Sequence, residues 1–393
     1  MIYTMTKKVI LILISIFLLC GCNKETIEVE EKTETKKDYY LEAVVDIYDE
    51  YVPMLNTVTK VTYIEEEYSE ELLSGINDIL IKYHKLLDNY HYYRDDNDDL
   101  IKNIKYLNDY YGNEEGIDVS DELIDILNNM KKMMKLTEGY FNPFIGELIE
   151  RYGGKFSNFP VVCEDIDSKI IDKYLNEIVD YRDIDQIVEI DGNHVVFHRY
   201  RDIDKLSINL GAFSKGYVAD RVMDYLGDKE ETILLNEGTS TIVGHSKDER
   251  TWNVGIRDPH NKYSYIFGLE LNNNTSLSTS GSDQNYYLLE DGTVRCHILN
   301  PYTGYSENYY SIVTVLCESA MASDVLSTAL FSIEDSELSI DIIKAVENEY
   351  NVNVDVCYVS EYDNDELIVR TTLDRDKLLN KSTSILSTEE MEK

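Results

Sequence analysis

Three short segments carry the side chains best suited to act on a phosphate ester. In Ser207–Asp220 (Ser-Ile-Asn-Leu-Gly-Ala-Phe-Ser-Lys-Gly-Tyr-Val-Ala-Asp), Gly211, Lys215 and Gly216 stand between an apolar run and a helix-like segment. Glycine lets backbone approach a ligand closely, a helix start offers unpaired N–H groups to phosphate oxygens, and Lys215 adds positive charge. The spacing is not that of a Walker loop, and an ordinary strand–turn–helix with a surface lysine accounts for this segment alone. In Cys296–Gly304, His297 leads a short apolar pair before the turn signals Asn300-Pro301 and Thr303-Gly304. An imidazole at a strand end, with an ordinary pKa of ~6.5, suits proton transfer; a surface histidine would look the same. In Ala322–Phe331, Val325, Leu326, Ala329 and Leu330 follow helical spacing. Asp324 and Thr328 then share one helix face as i and i+4. A carboxylate and a hydroxyl form a hard oxygen pair of the kind Mg²⁺ accepts while keeping water and substrate phosphate in its other positions. Alternatively, Ser323 or Asp324 caps the helix and Thr328 bonds back to a carbonyl.

The elements that must position these groups read as a mixed α+β domain, not a doubly wound sheet. Glu70–Tyr90 reads as an amphipathic helix, with Leu72, Leu73, Ile76, Ile79, Leu80, Tyr83, Leu86 and Leu87 at helical spacing. Asp121–Leu136 and Ser336–Asn348 read as further helices. Ile187–His198 alternates as a hairpin about Asp191-Gly192-Asn193. Thr232–Asn236, Tyr309–Leu316 and Val352–Tyr358 read as strands. Four units follow along the chain: 1–21 as a signal peptide, 22–38 as a tether, 39–378 as the folded domain and 379–393 as a disordered Ser/Thr/Glu-rich tail.

Taken in order, the three chemical segments resemble the ApbE family of FAD:protein FMN transferases. Thr137–Leu148 is similar to the family's Gly-x-Phe-Asp-Pro-x-x-Gly-x-Leu segment. Leu277–Gly281, followed by Tyr286 and Tyr287, is similar to its Thr-Ser-Gly-aromatic element, and Trp252–Pro259 to its Trp-x-x-Gly-Ile-x-x-Pro turn. The likeness runs from about Leu55 to about Phe331. It implies a single catalytic domain in which Mg²⁺ helps split the pyrophosphate of FAD, FMN passes to a Thr or Ser hydroxyl of a partner flavoprotein, and AMP leaves. By position, Asp324, Thr328 and the Ala212 carbonyl would hold Mg²⁺, and His297 would accept the hydroxyl proton. Tyr90, Tyr140, Phe141, Asn142, Asn209, Lys215 and Ile298 would contact the flavin nucleotide. The implied partners are flavoprotein subunits of membrane electron-transfer complexes, modified within an Asp-Gly-x-Ser/Thr-Gly-Ala-Thr-like motif that this chain lacks. Two alternatives use the same residues: a Mg²⁺-dependent FAD pyrophosphatase giving FMN and AMP, and a flavin-binding lipoprotein without catalysis.

Several positions depart from the family pattern. Asn209 and Asn300 stand where Asp is usual, Ala212 where Gly is, Glu237-Gly238 where Gly-Gly is, and Asn56 where Met-Gly-Thr has its Gly. At the N-terminus, Lys7 and Lys8 precede an apolar run from Val9 to Leu19, then Leu19-Cys20-Gly21-Cys22. This is a signal-peptide pattern, and its ending resembles a bacterial lipobox that would lipidate Cys22 and anchor the protein on the extracytoplasmic face of the cell membrane. The other cysteines, Cys163, Cys296, Cys317 and Cys357, show no CxxC pairing and read as buried thiols. A formal net charge of −38, from 75 acidic against 37 basic residues, argues against nucleic-acid binding. Local cations at Lys215 and Arg257 must then attract any anion.

Overall fold

The computed structural model describes residues 41–45, 59–63 and 69–393, apart from 154, 158–160, 230, 239, 247–249, 262 and 362–365. Cys22, the segments 1–21 and 22–38, and Asn56 lie outside the described residues.

In chain order, strands β1 (Leu41–Val45) and β2 (Thr59–Tyr63) precede helices α1 (Glu70–Leu87) and α2 (Ile104–Asp109). Strand β3 (Ile117–Asp118), helices α3 (Asp121–Leu136), α4 (Gly146–Tyr152), α5 (Ser168–Glu177) and α6 (Ile184–Ile187), and the hairpin β4 (Val188–Asp191) and β5 (His194–Phe197) follow. After α7 (Ser214–Leu226) come β6 (Ile233–Glu237), β7 (Thr241–His245), β8 (Trp252–Arg257), β9 (Tyr265–Leu271) and β10 (Ser276–Gly281). Then come β11 (Tyr286–Leu288), β12 (Val294–Cys296), β13 (Ile312–Cys317), α8 (Ala320–Phe331) and α9 (Ser336–Tyr350). The last strands are β14 (Val354–Glu361), β15 (Leu367–Thr371) and β16 (Ile385–Glu390).

The mixed α+β expectation holds. Among the described residues the largest sheet has nine strands, ordered β1-β2-β6-β7-β10-β13-β14-β15-β16 and antiparallel except for β15–β16. Its central strands, such as β13, are buried on both faces because both faces are covered. In β13, Val313, Val315 and Cys317 join the core with the helices, while Ile312 and Leu316 join Trp252, Ile256 and Phe267 of the β8–β9 hairpin. The period of two in a strand sorts these residues to opposite sides.

Helix α1 stops at Leu87, short of the expected Tyr90. The Asp88 carboxylate accepts from the N–H groups of Tyr90 at 2.5 Å and His91 at 3.0 Å, and this local turn ends the helix. The expected disordered tail is also corrected: Ile385–Glu390 pairs in parallel with β15. Its polar side chains gave no hydrophobic pattern, but an open strand edge recruits backbone, which is blind to side-chain polarity.

Helices α7 and α8 lock together where their N-terminal halves cross. Asp220 of α7 accepts from Ala320 N at 2.6 Å, Met321 N at 3.0 Å and Ser319 Oγ at 2.9 Å, so it satisfies the first turn of α8. In return, Asp324 of α8 accepts from Gly216 N at 3.0 Å in the first turn of α7. The N-cap of α8 is Ser319, whose Oγ accepts from Ala322 N; Ser323 and Asp324 therefore sit inside the helix and are not its caps. A β-carbon on Gly216 would meet the Ala320 carbonyl oxygen at 2.2 Å and Asp324 Cβ at 2.7 Å. Alanine favours a helix interior over glycine by about 0.5–1 kcal/mol, but overpacking against fixed backbone costs roughly 1–3 kcal/mol. Gly216→Ala is therefore expected to lower stability in urea unfolding, where a gain would contradict the close crossing.

Candidate active site

A cleft of about 900 Å³ opens over one edge of this helix pair. Tyr140, Phe141 and Asn142 line it ahead of α4, and Asn209, Ala212 and Lys215 line it from the turn into α7. His297 and Ile298 enter just after β12, and Asp324 and Thr328 enter from α8. Tyr90 is not among the lining residues; it lies half-exposed beyond the end of α1. The Asp88 turn that ends α1 carries it away from the helix face that packs inward.

The oxygen pair foreseen on α8 is present, with an anchoring that sequence did not show. Asp324 is buried, with Oδ2 bonded to Gly216 N and Oδ1 at 3.3 Å from Thr241 Oγ1. A carboxylate has about four lone-pair sites, so acceptor capacity remains. Thr328 Oγ1 lies 3.3 Å from Ser280 Oγ. Along β10, Ser276, Ser278 and Ser280 form a hydroxyl stripe beneath α8: Ser276 and Ser278 reach Ser323 at 2.9 and 2.8 Å, and Ser280 reaches Ser327 at 3.0 Å. Their i, i+2, i+4 spacing was the sequence signal for this stripe.

The glycine turn works differently from a phosphate cradle. Gly216 N is committed to Asp324, and Gly211 N donates to Asn209 Oδ1 at 3.0 Å. Positive charge at this turn therefore rests on Lys215, which forms no ion pair among the described residues. Arg257 is paired with the Asp283 carboxylate, so its charge is partly answered within the cleft. Asn142 is buried and bonded to Val179 O and Phe144 N, so it shapes the aromatic wall. Asn300 bonds to Glu307, Ser332 O and Tyr302 N, holding the turn after His297.

His297 is open to the cleft but deep within it. Lost solvation, then the nearby Lys215 charge, push its pKa below the ordinary imidazole range, while the carbonyls of Gln284 and Asn285 act in the opposite sense. The ring is thus neutral at physiological pH and able to accept a proton. Cys296, its neighbour, is fully buried with its thiol against Ser306 and Ile298 O, and burial pushes its pKa up. It is not a nucleophile for this cleft.

Glu237 is the residue that sequence reasoning left without a role. It is fully buried, and burial pushes its carboxyl up to about 8, against the pull of Lys215.

The sequence profile of the ApbE family matches residues 55–352. The chain belongs to the ApbE family. Curated relatives include an FAD:protein FMN transferase of Klebsiella pneumoniae, 35% identical over 130 residues that make up 33% of this chain and 39% of the relative. Another, from Vibrio cholerae, is 27% identical over 215 residues, 54% of this chain and 61% of the relative. The chain thus spans about two fifths to three fifths of the length of the curated relatives it matches. Among solved structures, flavin transferase ApbE from Vibrio cholerae superposes with a TM-score of 0.59 at 21% identity, covering 84% of this chain and 95% of that one. The apo Pseudomonas stutzeri flavinyl transferase ApbE gives 0.63 at 19%, covering 88% and 98%. These likenesses show the ApbE fold.

In NMR of the ligand-free protein, the His297 ring is expected to titrate below the ordinary ~6.5, and Lys215→Met is expected to raise that midpoint by removing a repelling charge. A His297 midpoint above the ordinary value would contradict this electrostatic picture.

Proposed function

We propose that this protein transfers FMN from FAD to a Ser or Thr hydroxyl of a partner flavoprotein, releasing AMP. The observation that supports this most is the meeting of a lysine, a neutral imidazole and a carboxylate–hydroxyl pair in one cleft with an aromatic wall. Tyr140 and Phe141 offer flat surfaces to an isoalloxazine, and Tyr140 packs edge-on against Tyr302, their centroids 4.9 Å apart. Lys215 answers the charge of the pyrophosphate.

His297 takes the proton of the acceptor hydroxyl as its oxygen bonds to the FMN phosphorus. The bond from that phosphorus to the AMP oxygen breaks, and AMP departs with the electron pair. Such transfer depends mostly on positioning and charge neutralisation. The donor chemistry suits Mg²⁺: Asp324, Thr328 and the Ala212 carbonyl are hard oxygens, and the described residues hold no group of three or more His, Cys, Asp or Glu that would make an all-protein site. Those three would hold Mg²⁺, which when bound would supply charge neutralisation at the pyrophosphate.

The test is incubation of the protein lacking residues 1–22 with FAD, Mg²⁺ and a peptide carrying the family acceptor motif, read by mass spectrometry. One FMN added to the peptide is expected; free FMN and AMP with an unmodified peptide would support hydrolysis instead, and intact FAD would support binding alone. Asp324→Ala is expected to abolish turnover. His297→Ala is expected to bind FAD and to lose transfer by about 10²–10⁴-fold; transfer at the parental rate would remove the imidazole from the mechanism. Anchoring through Cys22 on the extracytoplasmic face belongs to the same proposal. Cys22→Ser is expected to abolish incorporation of a labelled fatty acid into the chain, and undiminished labelling would refute the lipid anchor.

A further inference from the structure

Across β2, β6, β7 and β10, Thr59, Glu237, Thr241 and Ser278 stand in direct register. Directly paired residues share a face of the sheet. That face is the one under α8, because Ser278 bonds to Ser323 and Thr241 bonds to Asp324. Glu237 is therefore the next residue in a buried polar row that ends at the carboxylate of the cleft.

Its environment is unusual for a glutamate. Its relative exposure is 0%, and neither carboxylate oxygen has a hydrogen-bond partner among the described residues. Thr59 sets a hydroxyl toward it, outside ordinary hydrogen-bond geometry. The charges that bear on it are Lys215, which attracts, and Asp324, which repels. A buried carboxylate without partners is costly unless a cation compensates it. A divalent cation held at Asp324 would add to the compensation that Lys215 supplies.

We propose that Glu237 is a positioning residue for the cation site, acting from behind Asp324 and Thr241 as a second carboxylate that raises affinity for a divalent cation. The inference rests on the reading of Asp324 and Thr328 as cation ligands. Glu237 itself does not line the cleft, while its neighbours Asn236 and Gly238 do. Its influence on the site therefore passes through charge. Removing groups that support a metal ligand from behind typically weakens affinity by about 10–100-fold.

The test is Mn²⁺ binding to the protein without FAD, with free Mn²⁺ counted by electron paramagnetic resonance, together with melting temperature with and without Mg²⁺. Glu237→Gln keeps the shape and removes the ionisable carboxyl. It is expected to weaken Mn²⁺ binding at least tenfold, to shrink the Mg²⁺-induced rise in melting temperature, and to leave the metal-free melting temperature equal or higher. Glu237→Asp is expected to recover part of the affinity. Glu237→Ala, which removes the carboxylate by another route, is expected to show the same loss should the glutamine variant fold poorly. Parental affinity in the glutamine and alanine variants, alongside lost binding in Asp324→Asn, would overturn the role of Glu237 alone. Parental affinity in Asp324→Asn would overturn the cation site itself.

Discussion

The site depends on a mutual capping of two helices. Each of α7 and α8 gives a carboxylate to the other's first turn: Asp220 to the N–H groups of Ala320 and Met321, and Asp324 to that of Gly216. Unpaired N–H groups at a helix start must find acceptors, and a negative charge there is favoured by the helix dipole. The crossing requires glycine at 216 because the Ala320 carbonyl occupies the space a side chain would need. One short contact thereby fixes the lysine-bearing turn against the acidic helix. Lys215, adjacent to Gly216, and Asp324 cannot move independently.

The interior under α8 is polar for the same reason. A helix packed only by apolar contacts can rotate or slide by small amounts, because the hydrophobic effect is non-directional. The serine stripe of β10, meeting Ser323 and Ser327, adds directional bonds that fix the rotation of α8 about its axis. Buried hydroxyls cost stability when unpaired, and here those of the stripe are paired. Glu237, between Thr59 and Thr241 in the cross-strand row, has no such partner among the described residues.

Much of this was legible in the chain because it depended on local pattern. Helix α3 follows the apolar spacing from Asp121 to Leu136, and the β4–β5 hairpin turns at Gly192 with a positive φ of 59°. His297, Lys215, Asp324 and Thr328 each sit at a distinctive local signal, and all four line one cleft. What escaped was set by partners remote in sequence. Thr241 and Glu237 matter through strand register, which no local window contains. The N–H groups of Gly211 and Gly216 looked free for phosphate, yet one is taken by Asn209 and the other by a residue 108 positions away. Strand β16 has no apolar alternation strong enough to announce it and forms on the open edge of β15. Helix α1 ends before Tyr90 because the Asp88 side chain closes a local turn that the apolar spacing did not announce.

On the proposed function, the α7–α8 clamp prepares Asp324 to hold a divalent cation beside His297. Anomalous diffraction from crystals of this protein grown with Mn²⁺ and AMP addresses it most directly. A peak is expected against the Asp324 and Thr328 side chains, with the Ala212 carbonyl completing the protein ligands and the Gly216 N–H still on the carboxylate. A peak elsewhere in the cleft, or Asp324 swung away from Gly216 to reach the ion, would contradict it.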